Sequence, residues 1–461
     1  MMAVDRFFGR IRTFHFIGMG GIGMSGLAEM LLGMGFRVQG SDERWNSNIE
    51  RLQSRGASVF IGHAPEHIHG VDTVVFSSAI HPSNPELLAA YQAKIPVIRR
   101  AELLAEMMRL KDGIAVAGAH GKTTTTTMIA LILKRAGLDP TVVVGGNANN
   151  IGTNAQIGTG RFFVAEADES DESFLLLSPI LAVVTNIEEE HLDHYRDLNH
   201  ICDTFSRFLA RVPFFGAAVV CGEDPNIASL LRTYQRRTIR YGFSHESDLW
   251  ADSIRHFEGG QTFQVHEHTC DLGEFTIHYP GRHMILNALA SIGIARELGI
   301  EVEAMQQALH EFAGVKRRME FRGLVHGAVL IDDYAHHPTE IAATIEAARQ
   351  NWNRPLRVVF QPHRFSRTAF LWNDFVKVLA TIEHLILLPI YPASEPPREG
   401  ITSEKLAEDI ARVSGRLPEC YPSIENAAEN LYKAIQPDEV IMTMGAGNVF
   451  RIGDLILKMD C

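Results

Sequence analysis

A chain of 461 residues, 46% hydrophobic and 21% charged, has an ordinary globular composition, and at about 150 residues per domain its length suggests three domains. Its formal net charge of −12 argues against a general nucleic-acid binder, whose footprint is basic. The longest apolar runs, such as Leu385 to Leu388, fall far short of the ~20 residues of a membrane span. The five cysteines form no C-x-x-C pair, which argues against a zinc site, and with no signal peptide they point to a reducing cytoplasm.

The first unit is expected over residues 1–105. Thr13 to Ile17 reads as a buried strand, followed by Gly18-Met19-Gly20-Gly21-Ile22-Gly23-Met24 and a helical stretch to about Leu32. Further strands are predicted around Phe36 to Val38, Ser58 to Ile61 and Thr73 to Ser77. Strands alternating with helices imply a parallel α/β sheet. Gly18, Gly20 and Gly23 fit the dinucleotide fingerprint, with Asp42 near the expected acidic position. A helix N-terminus binds any pyrophosphate, so the motif does not choose between NAD and another diphosphate.

The second unit is expected over residues 106–314. An apolar run, Gly113 to Val116, leads into Ala117-Gly118-Ala119-His120-Gly121-Lys122-Thr123-Thr124 and then a helix-like stretch to Arg135. A strand, a glycine-rich turn and a helix start form a phosphate cradle, because the first backbone N–H groups of the helix and its dipole favour an anion. Lys122 can reach the outer phosphates and the Thr123 hydroxyl can ligate Mg²⁺. Only Ala119 and His120 separate the two glycines, where the usual motif has four residues. Two more strands, Arg161 to Ala165 and Leu181 to Ile187, run into the acidic clusters Glu166 to Glu172 and Glu188 to His191. Ligands in open α/β sheets sit at the carboxyl ends of strands, so both clusters are placed to face the phosphates. Most of these carboxylates are expected to be solvated. Glu166, which directly ends a strand, and His191, a possible metal ligand, are singled out.

The third unit is expected over residues 315–461. The strand Val329 to Ile331 runs into Asp332-Asp333-Tyr334-Ala335-His336-His337-Pro338-Thr339-Glu340, with a helix opening at Pro338. The strand Arg357 to Phe360 runs into Gln361-Pro362-His363-Arg364-Phe365-Ser366-Arg367, and further strands are predicted at Leu385 to Ile390 and Val440 to Met444. Arg364 and Arg367 can grip a carboxylate through bidentate bonds.

A diphosphate loop, an ATP-type loop and a carboxylate grip suit an ATP-driven joining of two substrates. ATP would phosphorylate a carboxylate on a nucleotide-linked substrate, and an amine bearing its own carboxylate would attack the acyl phosphate. Electrostatics and positioning dominate such phosphoryl transfer, and Lys122 with Mg²⁺ (or Mn²⁺) would supply the charge. An NAD-dependent dehydrogenase built on the Gly18 fingerprint would leave the phosphate loop and the third unit's clusters idle. A nucleotide-gated binding protein would lack turnover; a ligase makes ADP only when both the nucleotide-linked substrate and the amino acid are present, whereas a dehydrogenase would bind NAD and make no ADP.

Over its whole length the chain resembles the Mur ligase family of bacterial peptidoglycan synthesis. The matching stretches are Gly18 to Met24, Ser77-Ser78-Ala79-Ile80, the phosphate loop from Gly118, Glu166 to Asp171, and Thr185 to Glu188 with His191. Arg317-Arg318, Asp332 to Tyr334 with His336 to Glu340, and Gln361 to Arg364 complete the match. The resemblance implies an α/β fold of three domains, each built on a mainly parallel sheet. Rossmann-like N- and C-terminal domains would flank a central P-loop ATPase-like domain and take the UDP-sugar and the amino acid. It implies a cytoplasmic ligase acting on UDP-N-acetylmuramate, L-alanine and ATP, with no nucleic-acid or membrane partner. By the same resemblance Gly18, Gly20, Gly21, Gly23, Met24, Asp42, Ser77 and Ser78 face the UDP-sugar. Gly118, Gly121, Lys122, Thr123, Thr124, Asn287, Arg318 and Asp333 face ATP. Thr123, Glu166 and His191 hold the metal, His337, His363, Arg364 and Arg367 hold the amino acid, and Lys122, Glu166, His191, Arg318 and Asp333 are catalytic.

Two details bear on the branch. Ligases that add later amino acids carry a carbamylated lysine roughly 15 residues after the histidine matching His191, and residues 192–214 here contain no lysine. The ligase that reattaches recycled tripeptide shares the phosphate loop but does not usually carry Gln-Pro-His-Arg-Phe-Ser-Arg. One departure stands in Gly281-Arg282-His283-Met284-Ile285-Leu286-Asn287: the family's first Asn is Met284, which leaves Asn287 as the remaining amide near the adenine.

Overall fold

A computed structural model describes residues 8–77, 79–145, 154–191 and 194–460. The chain divides into two compact units. One comprises residues 1–251, 265–273 and 286–312, the other residues 252–264, 274–285 and 313–461.

The first unit holds a five-stranded parallel sheet in the spatial order Ser58–Ile61, Arg37–Asp42, Thr13–Ile17, Thr73–Phe76, Val97–Arg99. The middle strand is buried along its whole length. That matches its near-continuous apolar sequence, since a parallel strand is covered on both faces. Strand order reverses beside Thr13–Ile17, so the glycine loop that follows it lies at a topological switch point, where such sheets bind ligands. The helix Ile22–Gly33 starts from that loop.

A second sheet in the same unit runs Thr238–Gly242, Ala217–Cys221, Leu181–Val184, Asp112–Ala117, Phe162–Glu166, Thr141–Val143, Ala155–Gln156. All of these pairings are parallel except the last. Asp112–Ala117 delivers the chain to the phosphate loop, and the helix Lys122–Arg135 leaves it. The chain then passes through three further strands, Leu249–Phe257, Gly260–Glu267 and Cys270–Ile277.

The remaining unit holds a six-stranded sheet in the order Glu320–Val325, Ala328–Asp333, Val440–Met444, Leu356–Phe360, His384–Leu387, Glu419–Cys420. It is parallel apart from the hairpin that joins its first two strands. Alternate residues feed opposite cores, as the two-residue period of a strand requires. Val329, Ile331, Val358, Phe360 and Met442 join one buried cluster, while Leu330, Val359 and Ile441 join the other. Each fully buried aliphatic side chain of this kind stabilises the fold by about 1.5–3 kcal/mol. The strand expected as Val329 to Ile331 extends through Asp333, so both aspartates lie on it and are buried.

Candidate active site

The phosphate loop is held by its neighbours. Gly118 has φ +137° and Gly121, the N-cap of the helix, has φ +82°, both in a region that side chains disfavour. A side chain at Gly118 would run into the Thr185 hydroxyl. The Thr185 hydroxyl donates to the His120 carbonyl at 2.5 Å, and the Asn186 side chain accepts from the His120 N–H at 2.8 Å. Asn186 also donates to that carbonyl at 3.1 Å, and its own carbonyl accepts from the Ala119 N–H at 3.3 Å. The end of the neighbouring strand therefore fixes the loop. Asn287 meets it from another side: its Oδ1 accepts from the Thr125 hydroxyl at 3.2 Å and lies 2.5 Å from where a Cβ at Gly121 would stand.

Lys122 donates to the carbonyls of Gly118 at 2.6 Å and Ala119 at 3.1 Å and to Glu169 at 2.8 Å. Burial disfavours its charge, but Glu169, Glu166 and Glu190 outweigh burial and hold its pKa above the usual lysine value. Glu166, the last residue of its strand, accepts from the Thr123 hydroxyl at 2.8 Å and from the Gly145 N–H at 2.7 Å. His191 sits at φ +54°, with Nε2 3.6 Å from Glu169 and 3.8 Å from Glu190. The expectation that most of the acidic run is solvated fails at two positions: Glu169 and Glu190 are buried, while Asp171 and Glu189 are exposed. The cation of Lys122 is the physical reason such burial is tolerated.

The expected metal ligands thus fall in two neighbouring groups, Thr123 with Glu166 and His191 with Glu169 and Glu190. Donor atoms of the second group lie within 4.8 Å of one another, and Glu169 Oε2 is buried without a hydrogen-bond partner. Two carboxylates and an imidazole fit a hard or borderline divalent cation. The loop that carries this group is pinned at Ile187. Asp224 accepts from its N–H at 2.8 Å and Asn226 donates to its carbonyl at 2.7 Å.

In the first sheet, Asp42 accepts from the Gly20 N–H at 2.9 Å, so its carboxylate lies against the glycine loop. Met24 is buried in the helix that follows, and Gly21 is exposed. The Ser77 hydroxyl accepts from the Ala79 N–H, and Ser78 lies outside the described residues. The Ser41 carbonyl accepts from the N–H groups of Gly18 at 2.8 Å and Met19 at 3.0 Å. Behind Ser41 stands Glu86, fully buried, with Ser41 Oγ at 2.5 Å, His67 Nδ1 at 2.6 Å, and His15 Nε2 and His63 Nδ1 both at 3.3 Å.

In the other unit, Asp333 accepts from the N–H groups of Met319 and Ala335, both at 2.7 Å. Burial raises its pKa against the pull of Arg318. Arg318 donates to Glu340 at 3.1 Å and lies over the Tyr334 ring. His337 is the N-cap of the helix Pro338–Asn351, and Glu340 accepts from its backbone N–H at 3.4 Å. His363 stacks on Tyr391 at 5.5 Å, and its Nδ1 is 3.2 Å from Arg367 Nη1. Burial, then His336, Arg367, Arg364 and Arg317, push its pKa down to about 3, so it is neutral. Arg364 and Arg367 flank Ser366 as the spacing predicts, and Glu395 reaches the same place.

Three family models match along the chain: the Mur ligase family catalytic domain at residues 13–112, the Mur ligase middle domain at 116–295, and the Mur ligase glutamate ligase domain at 317–447. A UDP-N-acetylmuramate–L-alanine ligase of Geotalea uraniireducens is 49% identical over 452 residues, 98% of each chain. The chain belongs to the Mur ligase family. A ligase of the same description from Geobacter sp. (strain M21) is also 49% identical, over 98% of each chain. Among solved Mur ligase structures, the UDP-N-acetylmuramate-alanine ligase of Thermotoga maritima superposes with a TM-score of 0.81. It is 26% identical and covers 97% of this chain and 98% of its own. A murein peptide ligase of Psychrobacter arcticus shares the fold at a TM-score of 0.71 and 24% identity, over 97% of this chain and 98% of its own.

For this Mur ligase, the sequence placed Thr185, Asn186 and Glu169 in family-matching stretches and Glu190 in an acidic cluster without a role of their own, and Asp224 and Glu395 were passed over. Thr185 and Asn186 carried a signal, since they end an apolar strand on the ligand side of the sheet. Asp224 before Pro225 is an N-cap signature. Glu395 carried none.

Proposed function

We propose that this Mur ligase joins L-alanine to the lactyl carboxylate of UDP-N-acetylmuramate, at the expense of ATP, in the cytoplasmic assembly of the peptidoglycan precursor. A carboxylate oxygen would attack the γ-phosphorus of ATP and release ADP. The alanine amine would then attack the acyl carbon and release phosphate. The observation that carries the reading is the phosphate loop, where Lys122 is kept charged at a helix start with the Thr123 and Glu166 pair beside it. The 49% identity to alanine-adding relatives and the lack of lysine in residues 192–214 favour the alanine branch.

We assign Lys122 to the phosphate oxygens whose charge grows in the transition state, where one such donor contributes about 3–4 kcal/mol. The N–H groups at the start of helix Lys122–Arg135 would hold the remaining oxygens. A divalent ion, Mg²⁺ or Mn²⁺, would neutralise phosphate charge when bound, with Thr123, Glu166 and His191 as ligands and Glu169 and Glu190 beside them. The glycine loop and Asp42 would take the UDP group, and His363, Arg364 and Arg367 the alanine carboxylate. Arg318 and Asp333 would serve the nucleotide, with Asp333 acting through the backbone it holds. A cytoplasmic site suits the use of ATP and a nucleotide sugar, and no helix among the described residues is long and apolar enough to cross a membrane.

The test is ADP release with UDP-N-acetylmuramate and a panel of alanine, serine, glycine and the recycled tripeptide. Release that needs both the UDP-sugar and alanine supports the reading. Release with the tripeptide alone would move the protein to the recycling branch.

A further inference from the structure

Three non-glycine residues in the left-handed region gather in one patch of the C-terminal unit: Arg364 at φ +68°, Ala393 at +46° and Ser394 at +71°. Such backbone is unfavourable for side-chain-bearing residues and persists only where its surroundings hold it. Here the Arg364 N–H donates to the Tyr391 carbonyl and the Tyr391 N–H to the Pro362 carbonyl, both at 2.8 Å. The turn at 393 and 394 sets Glu395 against the arginine grip. Its carboxylate accepts from the Ser366 N–H at 2.9 Å and the Ser366 hydroxyl at 2.6 Å, and its Oε1 lies 3.9 Å from Arg364 Nη1.

We propose that Glu395 reads the α-ammonium of the amino-acid substrate while Arg364 and Arg367 hold its carboxylate. An α-amino acid carries opposite charges on one carbon, so a site that reads both must set an anion beside its cations. Arg364, Arg367, Arg317 and His336 surround His363 with positive charge. On their own these groups would accept any small carboxylate. The other acidic groups nearby are engaged elsewhere, Asp332 with Arg317 and Thr443 and Glu340 with Arg318 and His336. Glu395 is partly exposed, and a carboxylate offers about four lone-pair sites, so it can accept an ammonium without releasing Ser366. Burial opposes its charge, but the Ser366 bonds and Arg364 outweigh it and keep its pKa below the usual carboxylate value.

This role rests on the amino-acid reading of the third sheet. The test uses the full-length enzyme with saturating ATP and UDP-N-acetylmuramate. It measures KM for alanine and the inhibition constant of propionate, which lacks the ammonium, for wild type, Glu395→Gln and Glu395→Asp. The glutamine still accepts from the Ser366 N–H, so the turn is retained. The expected result is a fall of about tenfold or more in the preference for alanine over propionate in Glu395→Gln, the worth of one charge-assisted hydrogen bond. Glu395→Asp should keep most of the preference. If alanine and propionate weaken together, or alanine binds as in wild type, Glu395 only positions Ser366 and Arg364 and the proposal falls. If alanine tightens, Glu395 is a competing anion and the proposal also falls. Wild-type enzyme that makes ADP with another amine but not with alanine would instead sink the functional reading.

Discussion

Glu86→Gln tests the support behind the glycine loop. Glu86 is fully buried, and five polar hydrogens can converge on its carboxylate, from Ser41, His15, His63, His67 and the Ala64 N–H. Burial opposes its ionisation, but the bonds from His15, Ser41 and His67 and the charge of His15 outweigh burial and bring its pKa down to about 2 from 4.5. A glutamine has one acceptor oxygen and adds two donors of its own, so it leaves buried donors facing donors. At 1.36 kcal/mol per pKa unit the shift corresponds to about 3 kcal/mol of folding stability. The folded-state pKa lies below the unfolded one. The stabilisation is therefore complete above about pH 5 and drains as pH falls toward 2, with about half left at pH 3. Hydrogen exchange of the amides in strand Thr13–Ile17 reads this locally, without assuming that the whole chain unfolds in one step. The variant should lose about 3 kcal/mol of protection at pH 7, and the gap to wild type should narrow by about half at pH 3. Affinity for the UDP-sugar should fall with it, because the Ser41 carbonyl holds the N–H groups of Gly18 and Met19. An equal gap at both pH values, or one well under 1 kcal/mol at pH 7, would refute the argument.

Lys122→Ala should abolish ADP release, with a loss of at least about 3–4 kcal/mol in transition-state stabilisation, while UDP-sugar affinity by calorimetry stays near wild type. Asp224→Ala should raise the Mg²⁺ concentration needed for half-maximal activity about tenfold, because it frees Ile187 and with it the loop carrying Glu190 and His191. An unchanged Mg²⁺ titration would show that the loop holds itself. Arg367→Ala should raise KM for alanine far more than KM for ATP, and equal rises would mean the third sheet has been given the wrong substrate. His363, with a pKa near 3 against 6.5 unfolded, opposes folding increasingly as pH falls below about 6.5. His363→Gln should therefore flatten the acid-side loss of stability in a thermal-melt series from pH 7 to 4, and parallel curves would count against this.

The strand, loop and helix around Lys122 were readable from sequence because their parts are local: an apolar run, two glycines and a lysine at a helix start. Val440–Met444 and Ser58–Ile61 were readable for the same reason, as short apolar runs between turns. The hairpin of Glu320–Val325 and Ala328–Asp333 was passed over although it had a signal. Its turn is His326-Gly327, with φ +50° and +88°, two residues of the kind that two-residue hairpins require. Leu249–Phe257 begins with alternating burial, and its apolar Leu249 and Ala251 are spaced for a half-buried strand. Glu169 was harder to place. Glu166 to Glu172, five acidic and two neutral residues, reads as a solvated run, and only the spatial return of Lys122 makes Glu169 a buried partner. The grip of Asn186 on His120 spans 66 residues, and nothing in the sequence of either side chain announces the other.

With ATP bound at this loop as proposed, that grip also governs how tightly a nucleotide is held. A flexible glycine loop gives up conformational freedom when it closes on phosphates, at about 1–2 kcal/mol for each residue that becomes fixed. Here Ala119 and His120 are already tied to the Thr185 and Asn186 strand end. Much of that entropy is lost during folding, so less is charged against binding. A shortened loop braced from the side is thus a stiff mould. It should favour ligands that match its shape over ligands that need it to adapt.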